Sequence, residues 1–78
     1  MRTKITVTLN DFSKIKKFSS DVVKFESDID LVKGRYIIDA KSTIGIFTLD
    51  LSSPVDVVIH SDNDEEIRRF NEVMEKYK

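Results

Sequence analysis

One histidine, no cysteine and a few serines and carboxylates at turn positions are what this chain offers for chemistry. His60 stands beside the acidic stretch Ser61-Asp62-Asn63-Asp64. His60, Asp62 and Asp64 supply donor atoms for a metal, but one histidine followed by nearby carboxylates has no metal-site spacing behind it. His60 therefore reads as a solvated polar residue at the end of a strand. The lack of cysteine removes thiolate zinc sites, disulfides and thiol nucleophiles. Asn10 and Asp11 precede an amphipathic run, where their side chains suit the N-cap of a helix. Ser42 precedes a short apolar segment and is a capping candidate in the same way. Lys14, Lys16 and Lys17 gather on one surface, which suits either an acidic partner or plain solvent. No nucleophile–base pair, glycine-rich phosphate loop or metal cluster is visible, so the chain is not expected to be an enzyme and no cofactor is expected.

The elements that must hold these residues follow from periodicity. Thr3–Leu9 alternates, with Ile5, Val7 and Leu9 on one side and Lys4, Thr6 and Thr8 on the other, as a half-buried strand does. Phe12, Ile15, Phe18, Val22 and Phe25 recur every three or four residues and make one helical stripe, leaving Lys14, Lys16, Lys17 and Asp21 toward solvent. Ile29–Val32 and Arg35–Ala40 read as strands joined at Lys33-Gly34, where a glycine permits a tight turn. Thr43–Leu49 reads as two helical turns, weak by propensity because of Gly45 and its β-branched residues. Ser52-Ser53-Pro54 is a turn, and Val55–Ile59 is a fourth strand with Val55, Val57 and Ile59 inward. Ser61–Glu66 is rich in caps and negative charge suited to a helix start. Ile67, Phe70, Met74 and Tyr77 form the stripe of the last helix. The order is βαββαβα in one domain, residues 1–78. Three helices in so short a chain must share one face of a four-stranded sheet.

With 13 basic and 14 acidic residues the formal charge is -1. Attraction to nucleic acid or to an anionic membrane surface is not expected of the whole molecule. No apolar run approaches the ~20 residues that span a bilayer, and Met1–Thr6 carries no apolar leader core. A soluble, cytoplasmic protein is the expectation.

The element order resembles that of the HPr family, the phosphocarriers of the bacterial sugar phosphotransferase system. Ala40-Lys41-Ser42-Thr43-Ile44-Gly45-Ile46-Phe47-Thr48-Leu49 is similar to the family's regulatory segment A-K-S-I-M-G-V-M-S-L, with identities at Lys41, Ser42, Gly45 and Leu49. The resemblance implies an α+β open-faced β-sandwich: a four-stranded antiparallel sheet ordered 1-4-2-3 with three helices on one face. It departs at the phosphohistidine. The family's G-x-H-x-R-P stretch corresponds here to Leu9-Asn10-Asp11-Phe12-Ser13-Lys14-Ile15, with Asp11 at about the histidine's place. Phosphate transfer by the family's own route is therefore not expected.

What the resemblance implies for function is regulatory. It makes Ser42 a candidate for phosphorylation by a serine kinase, beside its reading as a cap. It makes Ile44 and Phe47 candidates for an exposed protein-binding patch, beside their reading as residues packed on the sheet. Lys14 and Lys17 join that surface. The implied partners are a phosphotransferase-system component, a serine kinase or a transcriptional regulator. Two alternatives stand: a phosphotransfer protein using Asp11 or His60, and a structural or oligomeric domain unrelated to sugar transport.

Overall fold

The computed structural model describes residues 2–42, 46 and 50–78. Strand β1 (Arg2–Val7) leads into helix α1 (Phe12–Val22), followed by strands β2 (Asp28–Lys33), β3 (Tyr36–Asp39) and β4 (Val55–His60). Helix α2 (Asp64–Met74) comes next, and a single 3-10 turn, Glu75–Tyr77, ends the chain. The sheet order is β1-β4-β2-β3, and every pairing is antiparallel.

The strands form where apolar and polar residues alternate, because period-2 spacing gives each strand one dry face. The register sets Ile5, Val57, Leu31 and Ile38 in one row across the sheet. The next row runs Thr3, Ile59 and Ile29 and continues to Ala40, whose N–H donates to the Ile29 carbonyl at 2.8 Å. Phe18 and Val22 of α1 and Phe70 and Met74 of α2 are fully buried in the same cluster as Val7, Ile29, Leu31, Val57 and Ile59. Both helices therefore cover one face. Phe18 meets Tyr77 edge-on, with ring centroids 5.6 Å apart, and Phe25 meets Phe70 in the same way at 6.1 Å. The terminal turn is tied to the end of β1 by the Thr8 N–H donating to the Tyr77 carbonyl at 2.7 Å.

Three helices were expected, and the count is corrected to two α-helices among the described residues. Of the segment Thr43–Leu49, Ile46 alone lies among the described residues. It is helical and fully buried, and its N–H donates to the Ser42 carbonyl at 3.2 Å. That segment has the weakest helix formers of the three predicted, a glycine and four β-branched residues.

Two further corrections concern α1. Phe12 is not part of the buried stripe but is 63% exposed. Burial deepens along the helix, through half-buried Ile15 to fully buried Phe18, because α1 starts beyond the packed layer and settles onto the sheet by its second turn. Asp21 does not face solvent freely. Its side chain is only 16% exposed and lies against the last turn of the chain.

Candidate functional site

The first turn of α1 is where an anion would meet unpaired helix amides. Here the helix's own N-cap takes one of those amides. Asp11 is the N-cap, in extended backbone, and its carboxylate accepts from the Lys14 N–H at 2.8 Å. The Lys14 ammonium lies 3.5 Å from the Asn10 side-chain oxygen, and the Lys16 ammonium lies 5.7 Å from the centre of the exposed Phe12 ring. Lys17 is exposed on the same helix. With Lys16, Ser20, Asp21 and Lys76 it borders a shallow groove between α1 and the chain's last turn.

Ser42 stands elsewhere, at the corner that follows β3. It is half-buried, and its N–H donates to the Asp39 carbonyl at 3.0 Å. The Lys41 N–H donates to the Asp39 carboxylate at 2.9 Å, and the Lys41 ammonium reaches the Phe25 carbonyl at 2.7 Å. Phe25 lies just past the C-terminal end of α1, so Ser42 and Asp11 sit toward opposite ends of that helix. The predicted patch residues Ile44 and Phe47 lie outside the described residues.

His60 closes β4, paired across the sheet with Arg2 and Asp28. One of its ring nitrogens lies 2.7 Å from a carboxylate oxygen of Asp30, its diagonal neighbour on β2. Asp11, by contrast, follows the far end of β1. The length of a six-residue strand, about 17 Å at ~3.3 Å per residue, separates the two. Among the described residues no group of three or more His, Asp or Glu side chains could hold a metal ion. His60, Asp62 and Asp64 are not such a cluster, because His60 is turned to Asp30.

Two polar clusters were not anticipated from the sequence. Glu66 is 94% removed from solvent by its 6% exposure, and it binds the loop between α1 and β2. Its carboxylate accepts from the N–H groups of Glu26 (2.9 Å) and Ser27 (3.2 Å) and from the Ser27 hydroxyl. The hydroxyls of Ser27 and Ser61 and the two amides hold its carboxyl down to about 2, against burial, which pushes it up. The sequence signal was Asn63-x-x-Glu66, a capping-box spacing. Asn63 does cap α2, accepting from the Glu66 N–H at 3.0 Å, but Glu66 does not reach back. Ser61 takes over that duty by accepting from the Asn63 N–H at 3.1 Å.

The second cluster joins Asp21 to the Tyr77 hydroxyl (2.5 Å) and the Lys76 ammonium (3.0 Å). Burial raises the Asp21 carboxyl, but Tyr77 and Lys76 outweigh it and leave the group below the usual carboxylate range. Burial, and then the bond to Asp21, push the Tyr77 phenol up. No signal in the sequence links residues 56 positions apart.

An antiparallel sheet ordered 1-4-2-3 with helices on one face is the HPr-like fold expected from the element order, and solved structures bear this out. The chain is similar to HPr-C-His from Thermoanaerobacter tengcongensis, at 25% identity over 96% of this chain and 91% of that one, with a TM-score of 0.70. It is also similar to the phosphocarrier protein HPr from Bacillus anthracis str. Ames, at 20% identity over 100% and 96% of the two chains, with a TM-score of 0.73. No family profile matches the chain, and no curated protein matches it. The chain thus has the fold of the HPr phosphocarriers. Among the described residues, no helix is long and apolar enough to cross a membrane.

Proposed function

We propose that this chain is an HPr-like protein-interaction module of the phosphoenolpyruvate-dependent sugar phosphotransferase system. In this reading it is not an enzyme and carries no phosphate on histidine. The observation that supports it is a combination: an HPr-like fold spanning nearly the whole of both compared chains, and a first helix whose N-terminus is occupied by its own Asp11 carboxylate. The one histidine in the chain stands at the other end of the sheet against Asp30. The docking surface comprises Ser42, Ile44 and Phe47 with Lys14 and Lys17, and phosphorylation of Ser42 regulates it. The partner is a phosphotransferase-system component, the serine kinase itself or a transcriptional regulator.

The test is incubation of the purified protein with ATP and the HPr-specific serine kinase, read by intact mass beside a Ser42→Ala control. A gain of one phosphate that the alanine variant loses is the expected result. No gain, with the kinase active on authentic HPr, leaves Ser42 a capping residue and removes the regulatory half of the proposal. Phosphate taken up instead from phosphoenolpyruvate and the phosphotransferase enzyme, in acid-labile or alkali-labile form, would make the chain a carrier through His60 or Asp11.

A further inference from the structure

β3 is an outer strand of the sheet, and its free edge has a pattern. The Gly34-Arg35 turn sets Lys33 opposite Tyr36, and the Ala40 N–H donates to the Ile29 carbonyl at 2.8 Å. Hydrogen-bonded positions alternate along an antiparallel pair. Tyr36, Ile38 and Ala40 therefore bond inward to β2. The free edge offers both backbone groups of Ile37, the Asp39 N–H and the Arg35 carbonyl, the Asp39 carbonyl being taken by the Ser42 N–H at 3.0 Å. Outer strands are usually blunted by shortness, by charge, by proline or by a bulge, and β3 has the first of these with four residues. Tyr36–Asp39 contains neither lysine nor proline, and it leaves Tyr36 60% and Ile37 68% exposed.

We propose that β3 pairs antiparallel with β3 of a second copy of this chain, in the register that sets Ile37 against Ile37. In this register the two Ile37 residues exchange N–H···O=C bonds across the two-fold axis. Tyr36 lies opposite the partner's Ile38, twice, and Arg35 lies opposite the partner's Asp39, twice. The outward amide of Asp39 then meets the outward carbonyl of Arg35. Charge selects this register over its neighbours. A slip of two residues one way sets Arg35 against the partner's Lys41. The opposite slip carries the partner's Asp39 past Arg35 to the Gly34 turn, where β3 has ended and no cation stands opposite it. Lys41 follows β3 and has no strand residue opposite it in the chosen register, its ammonium reaching the Phe25 carbonyl at 2.7 Å. The strand has four residues, so the contact buries less than the ~1,000 Å² of a stable interface, and the dimer is weak and concentration-dependent.

Sedimentation equilibrium of the intact chain, from about 10 μM to about 1 mM, reads the association directly. The wild type is expected to dimerise within that range, and Ile37→Lys, at a position already exposed, is expected to weaken it roughly tenfold or more. Arg35→Glu and Asp39→Lys each place like charges opposite one another and are expected to be monomeric. An equimolar mixture of the two variants pairs Glu with Lys and Arg with Asp, and is expected to recover the dimer. Circular dichroism confirms that each variant is folded. A wild type that stays monomeric at about 1 mM overturns the proposal. So does a dimer unaffected by Ile37→Lys, or a mixture no more associated than its components.

Discussion

Replacing Glu66 with glutamine tests whether one buried carboxylate fastens α2 to the loop that follows α1. The carboxylate takes two backbone N–H groups and the Ser27 hydroxyl, all from residues about 40 positions away in the chain. Glutamine keeps the shape and one carbonyl oxygen but loses the charge, and its NH2 group faces donors rather than acceptors. Its carboxyl is held at about 2 in the folded chain, against an ordinary value of 4.5. A displacement of that size corresponds to about 3 kcal/mol of stability, taken as an upper figure. The figure is the size of one or two charge-assisted hydrogen bonds at about 1.5–3 kcal/mol each, which suits a glutamine that keeps one acceptor oxygen. The sign follows from a depressed folded value. The stabilisation is complete above the unfolded value of 4.5 and is lost as pH falls toward about 2. Urea denaturation at a series of pH values, on wild type and Glu66→Gln, should show a gap of about 2–3 kcal/mol at pH 7 that narrows toward pH 2. A gap under about 0.5 kcal/mol at pH 7 would refute the clamp. A gap equally wide at both ends of the series would show that the carboxylate's charge has no part in it.

Two further substitutions examine other joints of the fold. Gly34 has φ 60 at the β2–β3 turn, and an added Cβ would meet nothing within 4 Å. Gly34→Ala should therefore carry only the backbone cost of about 1–2 kcal/mol, less a few tenths regained from the stiffer unfolded chain, and lower the melting temperature by several degrees. An unchanged or higher melting temperature would contradict the turn geometry. Tyr77→Phe removes the hydroxyl that donates to Asp21, so it should cost about 1 kcal/mol at pH 7 and raise the Asp21 carboxyl toward or past 3.8. Because the Asp21 value is lowered in the folded chain, that cost shrinks below about pH 4 as the carboxyl takes up its proton. NMR titration of the Asp21 carboxyl carbon follows the shift, and an unmoved titration would rule out the hydroxyl as its cause.

The sheet was legible in the sequence because its logic is local. Ile5, Val7 and Leu9, or Val55, Val57 and Ile59, announce a buried face by alternation alone, and in the structure each of these is buried or half-buried. Asp11 was legible as a cap for the same reason, since a cap acts on an amide three residues away. What failed was everything decided by distant neighbours. Asp21 has the spacing of a solvent-facing residue, and only the returning C-terminus gives it Tyr77 and Lys76. Glu66 has the spacing of a capping-box partner, yet Ser27 and Glu26 offer it more donors than the Asn63 amide does. Phe12 has the spacing of a core residue, but the periodicity of a helix does not say where the packed layer beneath it ends. The weak propensity of Thr43–Leu49 was plain from its residues, whereas the surface assigned to Ile44 and Phe47 lies outside the described residues.

Several of the molecule's polar ties gather at one end. Glu66 holds the amides of Glu26 and Ser27, Lys41 holds the carbonyl of Phe25, and His60 and Asp30 close the adjoining rows of the sheet. The loop Phe25–Ser27 is thus gripped from two sides, by α2 and by the corner that carries Ser42. At the other end, the Asp11 carboxylate caps α1 by accepting from the Lys14 N–H. Under the proposed regulation, a phosphate on Ser42 adds close to two negative charges beside Lys41 and competes with the Phe25 carbonyl for its ammonium. The consequence would be felt first in the Phe25–Ser27 loop and, through Glu66, at the start of α2. The first turn of α1 would feel it least, because a helix of 11 residues and a self-contained cap lie between. Under that proposal Ser42 would act through its own corner rather than through the place where a phosphocarrier would hold its histidine.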